Sequence, residues 1–209
     1  MNREKILELV REFAKEEYSN KEFIEGKSAV PVSGRVFDED DITTLVDSAL
    51  DFHLTTYRYN DEFEKSLRDF FGLKYALTCN SGSSANLIAV SSLTSHLLKE
   101  RALKYGDEII TVAAGFPTTV NPILQNNLIP VFVDVELKTY NADIKEIEKA
   151  ITEKSKAIIL AHTLGNPFNI DKVKKICEKY NLWLIEDCCD AFGTKYNGKR
   201  REHLAILPL

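Results

Sequence analysis

The sequence predicts an α/β fold, a mainly parallel sheet with helices on both faces. Two features of the chain carry this. From Lys74 onward, short runs alternate with helix-patterned stretches, and the runs are apolar throughout, as strands covered on both faces are. Composition agrees. The chain has 209 residues, 44% hydrophobic and 28% charged, enough for one large domain with a sizeable core.

Taken in order, the opening segment places Ile6, Leu7, Leu9, Val10 and Phe13 on one stripe, so residues 1–25 read as an N-terminal helical segment. An irregular loop, PVSGRVF, follows around Gly34. A second helix begins in the acidic run Asp38–Asp41, where carboxylates suit the positive end of the helix dipole, and carries Ile42, Leu45, Val46, Ala49 and Leu50. A third carries Phe63, Leu67, Phe70 and Phe71 and stops at Gly72. Strands are then predicted at KYALTC (74–79), DEIITVAA (107–114), IPVFVDV (129–135), KAIILAHT (156–163) and LWLIED (182–187). Helices are predicted between them, over 83–100, 118–127, 141–151 and 169–181. In such sheets ligands collect beyond the carboxyl ends of the strands, which groups the loops 80–84, 115–119 and 187–190 as one candidate site.

A net charge of −5 argues against a nucleic-acid or anionic-membrane surface as the main partner. No stretch approaches the roughly 20 apolar residues of a membrane span, and the charged N-terminus is unlike a signal peptide. Cys79, Cys177, Cys188 and Cys189 lack zinc spacing and suggest a reduced, cytoplasmic compartment, with no metal site expected.

Three motifs hold chemistry. CNSGSSANL follows a strand and opens a helix; small residues let the amides of Gly82, Ser83 and Ser84 approach an anion, although Ser and Asn are also ordinary caps. AAGFPTTVNP puts Phe116 at a strand's carboxyl end, where it can stack on a planar ring or simply join the core. LIEDCCDAFG ends a strand in Glu186 and Asp187. Alternation sends these to opposite sides, so at most one meets a ligand; a cationic partner would offset the cost of burying it, and a cap or salt bridge is the competing reading.

Together with LGNPFN, these motifs resemble, from about Gly26 to Lys199, the sugar aminotransferase and dehydrase family of fold-type I pyridoxal phosphate proteins, the DegT/DnrJ/EryC/StrS type. Within it the chain is most similar to the dehydrases that remove the 3-hydroxyl of CDP-4-keto-6-deoxyhexoses for lipopolysaccharide O-antigen. The resemblance implies an incomplete three-layer α/β/α large domain, aspartate aminotransferase-like, over 26–200. It implies that Gly82 and Ser83 bind the phosphate of pyridoxal or pyridoxamine 5′-phosphate, Phe116 stacks on the pyridine ring and Asp187 pairs with its nitrogen. Asp190, where many members carry His or Gln, and Asn166 fall near the same cofactor. Expected partners are a nucleotide sugar, a second copy in a homodimer and an iron–sulfur flavin reductase. An iron–sulfur cluster of the protein's own would lie beyond this chain.

The family's base, a histidine in dehydrases and a Schiff-base lysine in aminotransferases, also lies further along than this chain extends. His53, His96 and His162 read as structural residues in helix, helix and strand, and His203 lies in the tail. That tail, 201–209, departs from the family. Codons for a family-like continuation, Gly-Thr-Phe-Gly-Asp-Ile-Ala-Thr-Leu, read one base out of register, translate to the residues from Glu202 to Leu209, which suggests a shifted frame near Arg200 or Arg201. DNA that shows no such continuation in the other frame would refute the idea. A sheet cut partway would expose apolar edges, and this length of chain alone is expected to bind the cofactor weakly or not at all.

Overall fold

The structure is a computed structural model that describes residues 2–18, 23–30, 34, 36–200 and 204–207. The chain divides into two compact units, Met1–Phe63 and Glu64–Leu209.

In the first unit, α1 (Arg3–Tyr18) packs along α2 (Glu39–Leu50). The predicted stripe on α1 is only partly covered: Ile6, Leu7 and Val10 are half-buried, while Leu9 and Phe13 stay exposed. The acidic start of α2 forms a full capping box, with the Asp38 carboxylate accepting the amides of Asp40 and Asp41 and the Asp41 carboxylate accepting that of Asp38. Arg3 and Arg58 bracket Asp47 and Asp51, and Arg11 pairs with Asp40. His53 lies in the turn after α2, not in a helix, and bonds Thr55 at 3.1 Å. The expected loop over 31–37 falls largely outside the described residues.

α3 (Arg58–Phe71) ends as expected at Gly72, whose φ of +72° lets the Leu73 amide reach back to the Arg68 carbonyl. The strand predicted over KYALTC does not form. Tyr75 and Leu77 are exposed and, among the described residues, no neighbouring strand offers a ladder; Thr78 turns its amide and hydroxyl to the Glu64 carboxylate. The helix expected over 83–100 is also broken. α4 runs Gly82–Ser92, and a separate 3₁₀ segment, His96–Arg101, follows with Lys99 in the left-handed region.

The other four predicted strands form, and they are parallel. β1 (Glu108–Val112), β2 (Ile129–Val133), β3 (Ser155–Ala161) and β4 (Trp183–Asp187) are mutually parallel in the order β2-β1-β3-β4. A short hairpin of β5 (Lys195–Tyr196) and β6 (Lys199–Arg200) follows, and β7 (Leu204–Leu207) joins β4 antiparallel. The remaining tail residues lie outside those described.

Both faces are covered. α4 and α5 (Pro117–Gln125) bury Ala89, Val90 and Ile123 against Ile109, Ile159 and Ile185. α6 (Ile144–Ala150) and α7 (Ile170–Tyr180) bury Ile147, Val173 and Ile176 against Ile110, Ile158 and Leu184. Each fully buried Ile or Leu contributes about 1.5–3 kcal/mol, and this two-sided demand is why the strand sequences are apolar without alternation. At the amino ends of the strands, the Glu108 carboxylate accepts hydroxyl bonds from Thr152 at 2.5 Å and Ser155 at 3.2 Å. All four parallel strands point their carboxyl ends to the opposite rim.

Candidate active site

At that carboxyl rim, α4 starts where Ser81 caps it. Its backbone is extended and its hydroxyl accepts the Ser84 amide at 3.2 Å. The Ser84 amide thereby serves the cap, one of the two roles the sequence allows this motif. The amides of Gly82 and Ser83 precede the helix's own ladder and stay open to a negative group.

One strand to the side, Phe116 ends the β1–α5 connection with extended backbone, and Pro117 fixes the first helical position behind it. The Phe116 ring is 72% exposed, so it is not a core residue.

β4 delivers the two acids to opposite sides, as alternation required. Glu186 is fully buried; its carboxylate meets His162 Nε2 at 3.1 Å, and the His162 ring stacks on Phe168 with centroids 4.4 Å apart. Asp187 turns the other way. Its Oδ2 accepts from Asn86 Nδ2 at 2.8 Å and from the Thr119 hydroxyl at 3.3 Å, and its Oδ1 accepts the Cys189 amide at 3.1 Å. Its backbone carbonyl takes the His162 amide at 3.0 Å, tying the ends of β3 and β4 together.

These elements enclose a cavity of about 310 Å³, within the range of small-molecule sites. Gly82, Ser83, Phe116, Asp187 and Asp190 all line it. Asn166 does not. The 3₁₀ turn Thr163–Gly165 carries it past the rim, and its carbonyl is held by Asn141 Nδ2 at 2.9 Å. Asn86, Thr111, Thr119 and His162 line the cavity as well and were not picked out as site residues from the sequence. A usable signal existed for Asn86: it is the lone amide in the apolar run ANLIAV, one helical turn from Gly82 and so on the same face.

Buried Asn86 Oδ1 and Thr111 Oγ1 have no hydrogen-bond partner among the described residues, although buried polar atoms are normally paired. Open amides at one end, an ionisable carboxylate with unclaimed polar atoms at the other and an exposed aromatic between suit a flat ligand with an anionic arm and a cationic ring. Pyridoxal phosphate and its amine have that form, so the residues fit the cofactor. Cys188 is buried packing, as expected, whereas Cys189 is exposed at the cavity; burial first, then Asp187 and Asp190, push its thiol pKa up, away from nucleophilic use.

The chain is 60% identical over 197 residues to the lipopolysaccharide biosynthesis protein RfbH of Salmonella typhimurium, covering 94% of this chain and 45% of that one. It is 50% identical over 197 residues to the dTDP-4-dehydro-2,6-dideoxy-D-glucose 3-dehydratase of Saccharopolyspora spinosa, covering 94% and 42%. Among solved structures, the E. coli GDP-4-keto-6-deoxy-D-mannose-3-dehydratase with bound hydrated PLP superposes with a TM-score of 0.74 at 36% identity, covering 82% of this chain and 43% of that one. The chain thus spans less than half the length of these relatives. With residues 36–205 matching the family profile and the cavity built from the same stretch, the chain belongs to the DegT/DnrJ/EryC1/StrS aminotransferase family.

Proposed function

We propose that the chain is the N-terminal part of a nucleotide-sugar 3-dehydratase that works with pyridoxal or pyridoxamine 5′-phosphate in the synthesis of a lipopolysaccharide dideoxysugar. The observation that carries this reading is the Asp187 carboxylate, fixed by Asn86, Thr119 and the Cys189 amide in the cavity that also holds the open amides of Gly82 and Ser83. Those amides and the α4 dipole bind the phosphate. Phe116 covers one face of the ring and keeps water from it. Asp187 holds the ring nitrogen as a cation, and Asp190 lies beside it at the cavity wall. When bound, the cofactor supplies an electron sink for breaking the bond between sugar C3 and its hydroxyl. The base that moves the proton is assigned to no residue of this chain. A homodimer, a cytoplasmic location and an iron–sulfur reductase partner belong to the same proposal.

Identity at half the residues to a 3-dehydratase favours loss of the hydroxyl over amino transfer. Amide NMR of the chain, titrated with pyridoxal phosphate to millimolar concentration, tests the site. Gly82 and Ser83 should move together with Asp187, and Asp187→Ala should weaken binding about tenfold, as for loss of a charge-assisted contact. Cofactor that binds while these residues stay unshifted overturns the cofactor reading. Product analysis of the full-length protein of which this chain is a part, given a 4-keto-6-deoxy nucleotide sugar, decides the reaction: a 3-deoxy product supports the dehydratase, a 4-amino product makes it an aminotransferase.

A further inference from the structure

We infer that Asn86 is a positioning residue that fixes the Asp187 carboxylate by one oxygen and reserves the other, Oδ1, for a protonated ring nitrogen. This deepens the cofactor reading above and rests on it.

The argument begins with lone pairs. Asp187 Oδ2 takes two side-chain donors, Asn86 Nδ2 at 2.8 Å and the Thr119 hydroxyl at 3.3 Å, and is occupied by them. Oδ1 takes a single donor, the Cys189 amide at 3.1 Å, and retains acceptor capacity. A ligand cation therefore meets Oδ1. The orientation of Asn86 follows from the same count: the reversed amide would set its oxygen against the carboxylate, whereas as placed Nδ2 also reaches the Thr118 carbonyl at 3.4 Å.

Asn86 is 3% exposed, inside a helix that is otherwise apolar at this level, and a buried amide there is costly unless it is used. Half of it is used, on Asp187. The other half, Oδ1, is buried, lacks a partner among the described residues and belongs to a residue that lines the cavity. It accepts a further N–H or O–H, from the ligand or from a water that the ligand traps.

The consequence concerns where a proton sits. In a poorly hydrated site, a carboxylate facing a pyridinium tends toward the neutral pair, with the proton on oxygen, unless donors stabilise its charge. The Asn86 amide is the shortest donor to that charge, so it biases the shared proton toward the ring.

The test uses pyridoxal phosphate labelled with nitrogen-15 in the ring, bound to the whole chain and to two variants, Asn86→Leu and Asn86→Ser. Weak binding suffices, because the shift of the bound ring nitrogen reports its protonation independently of turnover. In the wild-type chain the resonance should lie in the pyridinium range; in both variants it should move toward neutral pyridine and the dissociation constant should rise about tenfold. Wild-type binding with the same pyridinium shift and affinity in the variants overturns the inference and leaves the cofactor reading standing. Wild-type binding that leaves Gly82, Ser83 and Asp187 unperturbed overturns both. Loss of the folded state in both variants, seen by circular dichroism, assigns Asn86 to packing and also overturns it.

Discussion

Gly165 is the residue whose backbone most limits the site's rim. Its φ is +81°, and a Cβ added there would sit 3.0 Å from the Asp190 carbonyl oxygen. Its neighbour Leu164 is also left-handed, at φ +54°, and exposed. The turn is held in this form by Asn141, which accepts the Thr163 amide and donates to the Asn166 carbonyl. Gly165→Ala adds left-handed strain of about 1–2 kcal/mol as well as that contact, so urea denaturation should show a loss of at least this order; unchanged stability would mean the rim gives way freely. The two acids of β4 were legible because strand alternation needs no partner to be known. Asn86 left only a partial trace, a lone amide in an apolar helical run, which does not tell whether that amide caps, packs or supports a carboxylate. Asn166, by contrast, follows a 3₁₀ turn and lies outside the lining of the cavity.

Among elements, the ion-pair cluster joining α1, α2 and α3 has a definite pH signature. Hydrogen bonds from Arg3, then Arg58 and Tyr59, hold Asp47 well below the usual carboxylate range, and Arg58 lowers Asp51. Both folded-state pKa values are depressed, so their stabilisation is fully present above the ordinary value of about 4 and is lost as pH falls through the folded values. Carbon-13 carboxyl titration should place both midpoints below that value, and Arg58→Met should raise both. An unchanged Asp51 midpoint in the variant would remove Arg58 as its cause. The exposure of Arg3 and Arg58 makes the effect sensitive to salt. KYALTC teaches the opposite limit. Its residues have the β-preference of a strand, but a strand exists only with a ladder, and none of the described segments supplies one. The broken helix after Ser92 has a similar origin: the apolar run continues, while the chain turns so that Leu93 and Leu103 enter the core.

For the whole molecule, the layered arrangement was the most legible feature, because covering both faces of a parallel sheet leaves its mark on every strand. It also sorts the cysteines. Cys79 and Cys189 are exposed, while Cys188 and Cys177 are buried, and burial pushes the Cys177 thiol up to about 12. Iodoacetamide should label Cys79 first and Cys189 more slowly in the native chain. Cys177 and Cys188 should react only at the rate of global unfolding, and early labelling of Cys177 would show that α7 opens alone. A parallel sheet has, finally, a head and a tail. The head bears the groups that line the cavity; the tail bears Glu108, Thr152 and Ser155, which bond one another across the strand starts. Evolution or an engineer can therefore retune the durability of this molecule from one end while leaving its chemistry, at the other, untouched.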